Sequence, residues 1–94
     1  MSQTLEKLRL DFSSTAYVMI TCQSGSEGII IDELKSIEGV KEVLGTIGSY
    51  DILAKIELPS IESLRDIIES KIRKIPEIRA TTTIVCGPSS LVFY

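Results

Sequence analysis

The sequence predicts an α+β domain in the ferredoxin-like order βαββαβ: a four-stranded antiparallel sheet of order 4-1-3-2 with two helices on one face. Three observations carry this expectation. Runs rich in β-branched residues alternate with two stretches of helical period. A Gly48-Ser49 dipeptide between apolar runs reads as a two-residue type II′ hairpin turn that divides the chain into two βαβ halves. The halves also repeat at a helix exit, where Ile37-Glu38-Gly39-Val40-Lys41 is echoed by Ile75-Pro76-Glu77-Ile78-Arg79.

Residues 1–14 set Leu5, Leu8, Leu10 and Phe12 among polar residues at a spacing that neither template matches, and they stay unassigned. The domain proper spans 15–86. Thr15 to Cys22 predicts the first strand, with Val18, Ile20 and Cys22 on one face and Tyr17, Met19 and Thr21 on the other. Ser24-Gly25-Ser26-Glu27 has capping-box spacing and predicts a helix start. Ile30, Leu34 and Ile37 form its core stripe, and Gly39 suits its stop. Val40 to Ile47 and Tyr50 to Leu58 follow as hairpin strands, the second placing Asp51, Leu53, Lys55 and Glu57 on one face. Pro59-Ser60 supplies an N-cap for a helix whose stripe is Ile61, Leu64, Ile68, Ile72 and Ile75. Ile78 to Cys86 is the fourth strand, and residues 87–94 form an apolar tail ending Leu91-Val92-Phe93-Tyr94.

With 94 residues the chain makes one domain, and a monomer of that size buries only about two-thirds of its unfolded surface, which favours self-association. A composition 44% hydrophobic and 24% charged excludes a disordered regulator, and a net charge of −3 provides no broad basic surface for DNA. No apolar run is long enough to cross a bilayer and no leader precedes the first strand, so a cytoplasmic protein is expected. Cys22 and Cys86 lack the density of a disulfide scaffold and the spacing of a metal site, and both read as buried thiols.

Packing the more apolar sets on the helices leaves Tyr17, Met19, Thr21, Asp51, Leu53, Arg79, Thr81, Thr83 and Val85 on the open face. Thr21, Asp51, Arg79 and Thr81 gather at one end. The apolar members Tyr17, Met19, Leu53 and Val85 predict a dimer interface, sheet against sheet. The polar end predicts a small pocket in which a carboxylate binds an ammonium group while hydroxyls, Arg79 and turn amides receive a carboxylate. The plainer readings are a solvated or Arg79-paired Asp51, and threonines chosen for β propensity. There is no histidine, no metal-ligand cluster and no glycine-rich phosphate loop, so neither catalysis nor a cofactor is expected.

The Ile47-Gly48-Ser49-Tyr50-Asp51 turn, the Ile37-x-Gly39-Val40-Lys41-Glu42 exit, the Lys71-Ile72-Arg73-Lys74-Ile75-Pro76 helix end and Arg79-x-Thr81-x-Thr83 resemble the ligand-binding (RAM) domain of Lrp/AsnC regulators, over Ala16 to Cys86. The resemblance implies a stand-alone RAM domain that forms dimers and rings of dimers. Such a module binds an amino acid between dimers and modulates a full-length Lrp-like regulator by co-assembly. The matching effector positions are Gly48, Ser49, Tyr50, Asp51, Thr81 and Thr83, with Arg79 beside them. The alternative is an ACT-like sensor acting on an enzyme partner. A small α/β-barrel isomerase or monooxygenase is a third reading, weakened by the missing histidine.

Overall fold

The central strand is β1 (Ser14–Cys22), whose residues alternate between buried and half-buried along its whole length. A computed structural model describes residues 14–86; residues 1–13 and the apolar tail 87–94 lie outside them, and Ser14 belongs to β1. After β1 come α1 (Glu27–Lys35), β2 (Val40–Gly45), β3 (Ile52–Leu58), α2 (Ile61–Ile67), a π turn (Ile68–Ile72) that continues α2, and β4 (Ile78–Cys86). The sheet is antiparallel in the order β2-β3-β1-β4, which is the expected order read from the other edge. No helix among the described residues is long and apolar enough to cross a membrane.

One sheet face carries the core. Ala16, Val18, Ile20 and Cys22 of β1 and Ile52, Ala54 and Ile56 of β3 are buried against Ile30 and Leu34 of α1 and Leu64, Ile68 and Ile72 of the second helical segment. Each fully buried isoleucine contributes about 1.5–3 kcal/mol, so this layer is what holds the helices on. The opposite face has an apolar row in which Leu44 lies against Leu53 and Leu53 against Met19, with Tyr17 and Ile84 paired in the next row. Leu44 and Ile84 are about half exposed, at 49% and 51%.

Ser60 caps α2 as expected, its extended backbone letting Oγ accept from the Ser63 N–H at 3.0 Å. The capping box ahead of α1 does not form. Ser26 takes the N-cap position without a side-chain bond, because a turn closed by the Ser26 N–H on the Gln23 carbonyl (3.0 Å) removes Ser24 from the helix start. The hairpin also differs from a two-residue turn. Pairing stops at Gly45 and Ile52, and the connection is closed by the Thr46 N–H on Asp51 O (2.9 Å) and by Thr46 Oγ1 on Tyr50 O (2.6 Å). Gly48 has φ +140°, far from the roughly +60° of a type II′ first corner.

The largest departure lies in β4. Cys22 pairs with Ile78 but Thr21 pairs with Ala80, so Arg79 is the extra residue of a bulge. A strand's side chains alternate with period two, and one inserted residue therefore moves every later side chain to the other face. Thr81, Thr83 and Val85 consequently sit opposite Ile20, Val18 and Ala16, on the helix side. Their expected place on the open face, and that of Val85 in a sheet-to-sheet interface, is corrected; Thr82 and Ile84 occupy the open face instead. β2 has the same irregularity at Lys41, between the Val40–Ile56 and Glu42–Lys55 pairs. Lys41 and Arg79 hold equivalent places in the internal repeat, so each half carries a bulge just after its helix exit.

Gly39 makes that exit possible. It has φ +91°, and a Cβ there would lie 2.8 Å from Leu58 Cγ and 3.2 Å from Glu57 O. Gly39→Ala is expected to lower the unfolding free energy by about 1–3 kcal/mol in urea titrations. Gly28→Ala, in α1 where a Cβ meets nothing within 4 Å, should instead raise it by up to about 1 kcal/mol. Equal effects of the two substitutions would contradict the close approach to Leu58.

Candidate functional site

Two surfaces hold the residues that the sequence singles out. The first is the end of the sheet where β1 stops. There the Asp51 N–H continues the ladder by donating to Ile20 O (2.8 Å), and the Asp51 carboxylate accepts the next β1 amide, that of Cys22, at 2.9 Å from Oδ2. Asp51 is thus a clamp on the end of β1. It is not ion-paired with Arg79: among the described residues the ion pairs are Lys55–Glu57 and Arg73–Glu69. A carboxylate has about four lone-pair sites, so one amide leaves it capacity for a cation.

The Cys22 thiol beside this clamp is pushed up from its ordinary pKa, first by burial, then by the Glu27 and Asp51 carboxylates and a hydrogen bond to Asp51, with Arg79 opposing. Cys86 is exposed rather than buried. The register sets Cys86 against Thr15 and Cys22 against Ile78. They lie at opposite ends of β1, on the order of 20 Å apart, beyond any disulfide.

The second surface is a groove between the α2 segment and β4. Its volume is about 320 Å³; Thr81, Thr83 and Val85 form the strand wall, and Ile61, Arg65, Ile68, Glu69 and Arg73 the helical one. β4 is an edge strand, and the helices cover β1 and β3 more fully than they cover it. The threonine hydroxyls therefore stay accessible although they point to the helix side. The π turn, marked by the Arg73 N–H on Ile68 O at 2.9 Å, adds a residue to the helix and keeps Ile68 and Ile72 in the core. A second hollow of about 340 Å³ adjoins the first at Thr81 and Arg73, and Arg79 lines it.

Thr81 and Thr83 thus come together, with Arg79 next to Thr81, but the Gly48–Asp51 loop lines neither hollow. Within one chain the expected site is divided. Neither Arg65 nor Arg73, the latter quoted only within the helix-end motif, was among the expected site residues, although Arg65, Glu69 and Arg73 recur every four residues beside the Leu64, Ile68 and Ile72 stripe. That spacing was the available signal. Arg73 and Glu69 are 3.2 Å apart and exposed, a contact worth only about 0.3–0.5 kcal/mol.

Residues 15–87 match the family model of the Lrp/AsnC ligand binding domain. The HTH-type transcriptional regulator FL11 of Pyrococcus abyssi is 29% identical over 76 residues, which is 81% of this chain and 50% of the regulator. The chain therefore spans about half the length of the curated regulators it matches. A homocitrate synthase of Saccharolobus islandicus is 38% identical over 69 residues, covering 72% of this chain and 15% of the enzyme. Among solved structures, a hypothetical protein from Pyrococcus horikoshii superposes with a TM-score of 0.75 at 33% identity, over 78% of this chain and 88% of that one.

The clamp and the thiol yield one test. The Cys22 pKa is higher folded than unfolded, so its contribution to stability is complete below the ordinary thiol pKa of about 8.5 and falls as pH rises through the folded value. Urea midpoints should drop more steeply above that pH in the parent than in Cys22→Ala. In a Cys86→Ser background, a maleimide should label Cys22 only on unfolding. Labelling of the native protein at the rate of a free thiol would contradict its burial.

Proposed function

Because the chain belongs to the Lrp/AsnC ligand-binding domain family, we propose that it is an effector-binding and self-assembling module rather than a catalyst. It takes an amino acid at the junction between copies and acts by co-assembly with a cytoplasmic Lrp-type transcription regulator. The observation that carries the reading is the groove between α2 and β4, which keeps two hydroxyls and two guanidinium groups accessible beside an apolar wall. Such a wall with a few polar groups is the ordinary make-up of a small-molecule site.

Assembly follows from the open face. The Leu44, Leu53, Met19, Tyr17 and Ile84 side chains form a band that the helices do not reach. Covering it with a second copy removes on the order of 800 Å² per partner from water. Assembly also supplies what one chain lacks. The Gly48–Asp51 loop of one copy, set against the groove of another, brings Asp51 to the ammonium group and Thr81 and Thr83 to the carboxylate. Copies joined through two different surfaces, open face and groove, form a ring of dimers. With a net charge of −3, the chain leaves contact with DNA to its partner.

A second reading is favoured by the match to homocitrate synthase, whose identity of 38% exceeds the 29% to the regulator FL11. In that reading the module senses a small molecule for an enzyme. Gel filtration of the chain mixed with a purified full-length Lrp-type regulator, and separately with a homocitrate synthase, discriminates between the two by which one co-elutes.

Light scattering of the parent should show dimers or larger species at micromolar concentration, and Leu53→Lys should yield monomer or insoluble protein; a clean parent monomer would refute the open-face dimer. For the effector, a ligand at about a hundred times its Kd adds roughly 2.7 kcal/mol, a rise in Tm of more than about 10 °C for a domain of this size. A hit from an amino-acid panel should weaken in Asp51→Asn, which keeps the acceptor for the Cys22 amide but removes the charge, and in Thr81→Val. Hits unchanged in both would place the site elsewhere.

A further inference from the structure

The chain has four arginines, Arg9, Arg65, Arg73 and Arg79, in a protein of net charge −3. Three of them line the two adjoining hollows between α2 and β4, with Arg73 and Thr81 shared between both. No lysine lines either hollow; Lys71, on the same helical segment, lines a different one. The single acid there is Glu69, already 3.2 Å from Arg73 Nη1. Arg65 and Arg79 have no carboxylate within 4 Å among the described residues. The depression is therefore locally cationic in an acidic molecule, and the cations are of the type that grips carboxylates in two-pronged fashion.

The backbone is built to deliver them. Arg79 is the inserted residue of the β4 bulge, and bulges re-aim a side chain at the cost of a ladder bond. Arg73 supplies the amide that closes the π turn, a feature frequent at functional sites. Two separate irregularities, one in a strand and one in a helix, thus bring a guanidinium to the same hollow. Ile68 stands between Arg65 and Arg73 on the helical wall, and Ile61 and Val85 add apolar lining to the same groove, surface suited to methylene groups.

We propose that this depression takes a dicarboxylic acid, with one carboxylate on Arg73 and Arg79 beside Thr81 and the other toward Arg65 and Thr83. This rests on the effector reading above and adds the charge class of the ligand. In a dicarboxylic amino acid the ammonium group is left for the Asp51 loop of the neighbouring copy.

Calorimetric titration of the full chain with L-glutamate, L-glutamine and glutarate tests it. Glutamate should bind at least about tenfold more tightly than glutamine, which lacks the second charge, and glutarate should bind without an amine. Arg79→Gln or Arg73→Gln should abolish the preference for glutamate, and added salt should reduce it. Lys71→Gln, an equal change of charge outside both hollows, should leave it intact. Glutamine binding as tightly as glutamate would overturn the charge class and leave the amino-acid reading standing. Glutarate binding with no response to either amino acid would do the reverse. No binding of any of the three at 10 mM would overturn the proposal, as would a glutamate preference that survives both arginine substitutions. Exposed Arg65→Gln provides a further variant should either arginine prove necessary for folding.

Discussion

The pairing of β1 on both of its edges is the constraint from which the rest of the molecule follows. Its nine residues alternate buried and half-buried without interruption, and β3 and β4 are hydrogen-bonded to its two sides. Because residues opposite one another share a face, that alternation commits Ile52, Ala54 and Ile56 to the core as soon as they pair with Ile20, Val18 and Ala16. The helices then have one place to bury Ile30, Leu34, Leu64, Ile68 and Ile72. Asp51 closes the end of this strand by accepting the Cys22 amide, which β3 no longer reaches with a backbone carbonyl. A side chain 29 residues away thereby satisfies a group that burial would make costly to leave alone.

The site arises where this regularity is broken. β4 pairs along one edge only, so a residue can be inserted into it without disturbing a further strand. The bulge at Arg79 sends Thr81 and Thr83 to the helix side, where the α2 segment stands far enough off to leave a groove. In the helix the π turn does the matching work, turning Arg73 toward the groove while Ile68 and Ile72 stay in the core. An uninterrupted strand and helix would have met the core requirement equally well. They would have left the threonines on the open sheet face and no mixed polar and apolar groove.

The two halves of the chain show how the same local device is used twice. Lys41 in β2 and Arg79 in β4 are bulge residues at equivalent points of the repeat, each two residues past the equivalent positions Gly39 and Glu77. The surroundings separate their consequences. β2 and β4 are both edge strands, but described hollows lined by arginine lie only beside β4, because the second helical segment carries Arg65 and Arg73 and the first does not.

The sequence by itself determined the order of elements, the core sets of β1 and β3, the Ser60 cap and the apolar character of the open face. These rest on periods of two and 3.6 residues and on capping chemistry within a few positions, all of which a single segment contains. The tertiary structure alone decided the face of β4, the clamp from Asp51 to Cys22 and the meeting of Arg65, Arg73 and Arg79. Register is a relation between strands. Whether Thr21 stands against Ala80 or Arg79 depends on hydrogen bonds across 59 residues, and a one-residue difference there exchanges the two faces. The repeat of Lys41 at Arg79 was visible in the chain, but that both positions are bulges became apparent only once each had a partner strand to be out of step with.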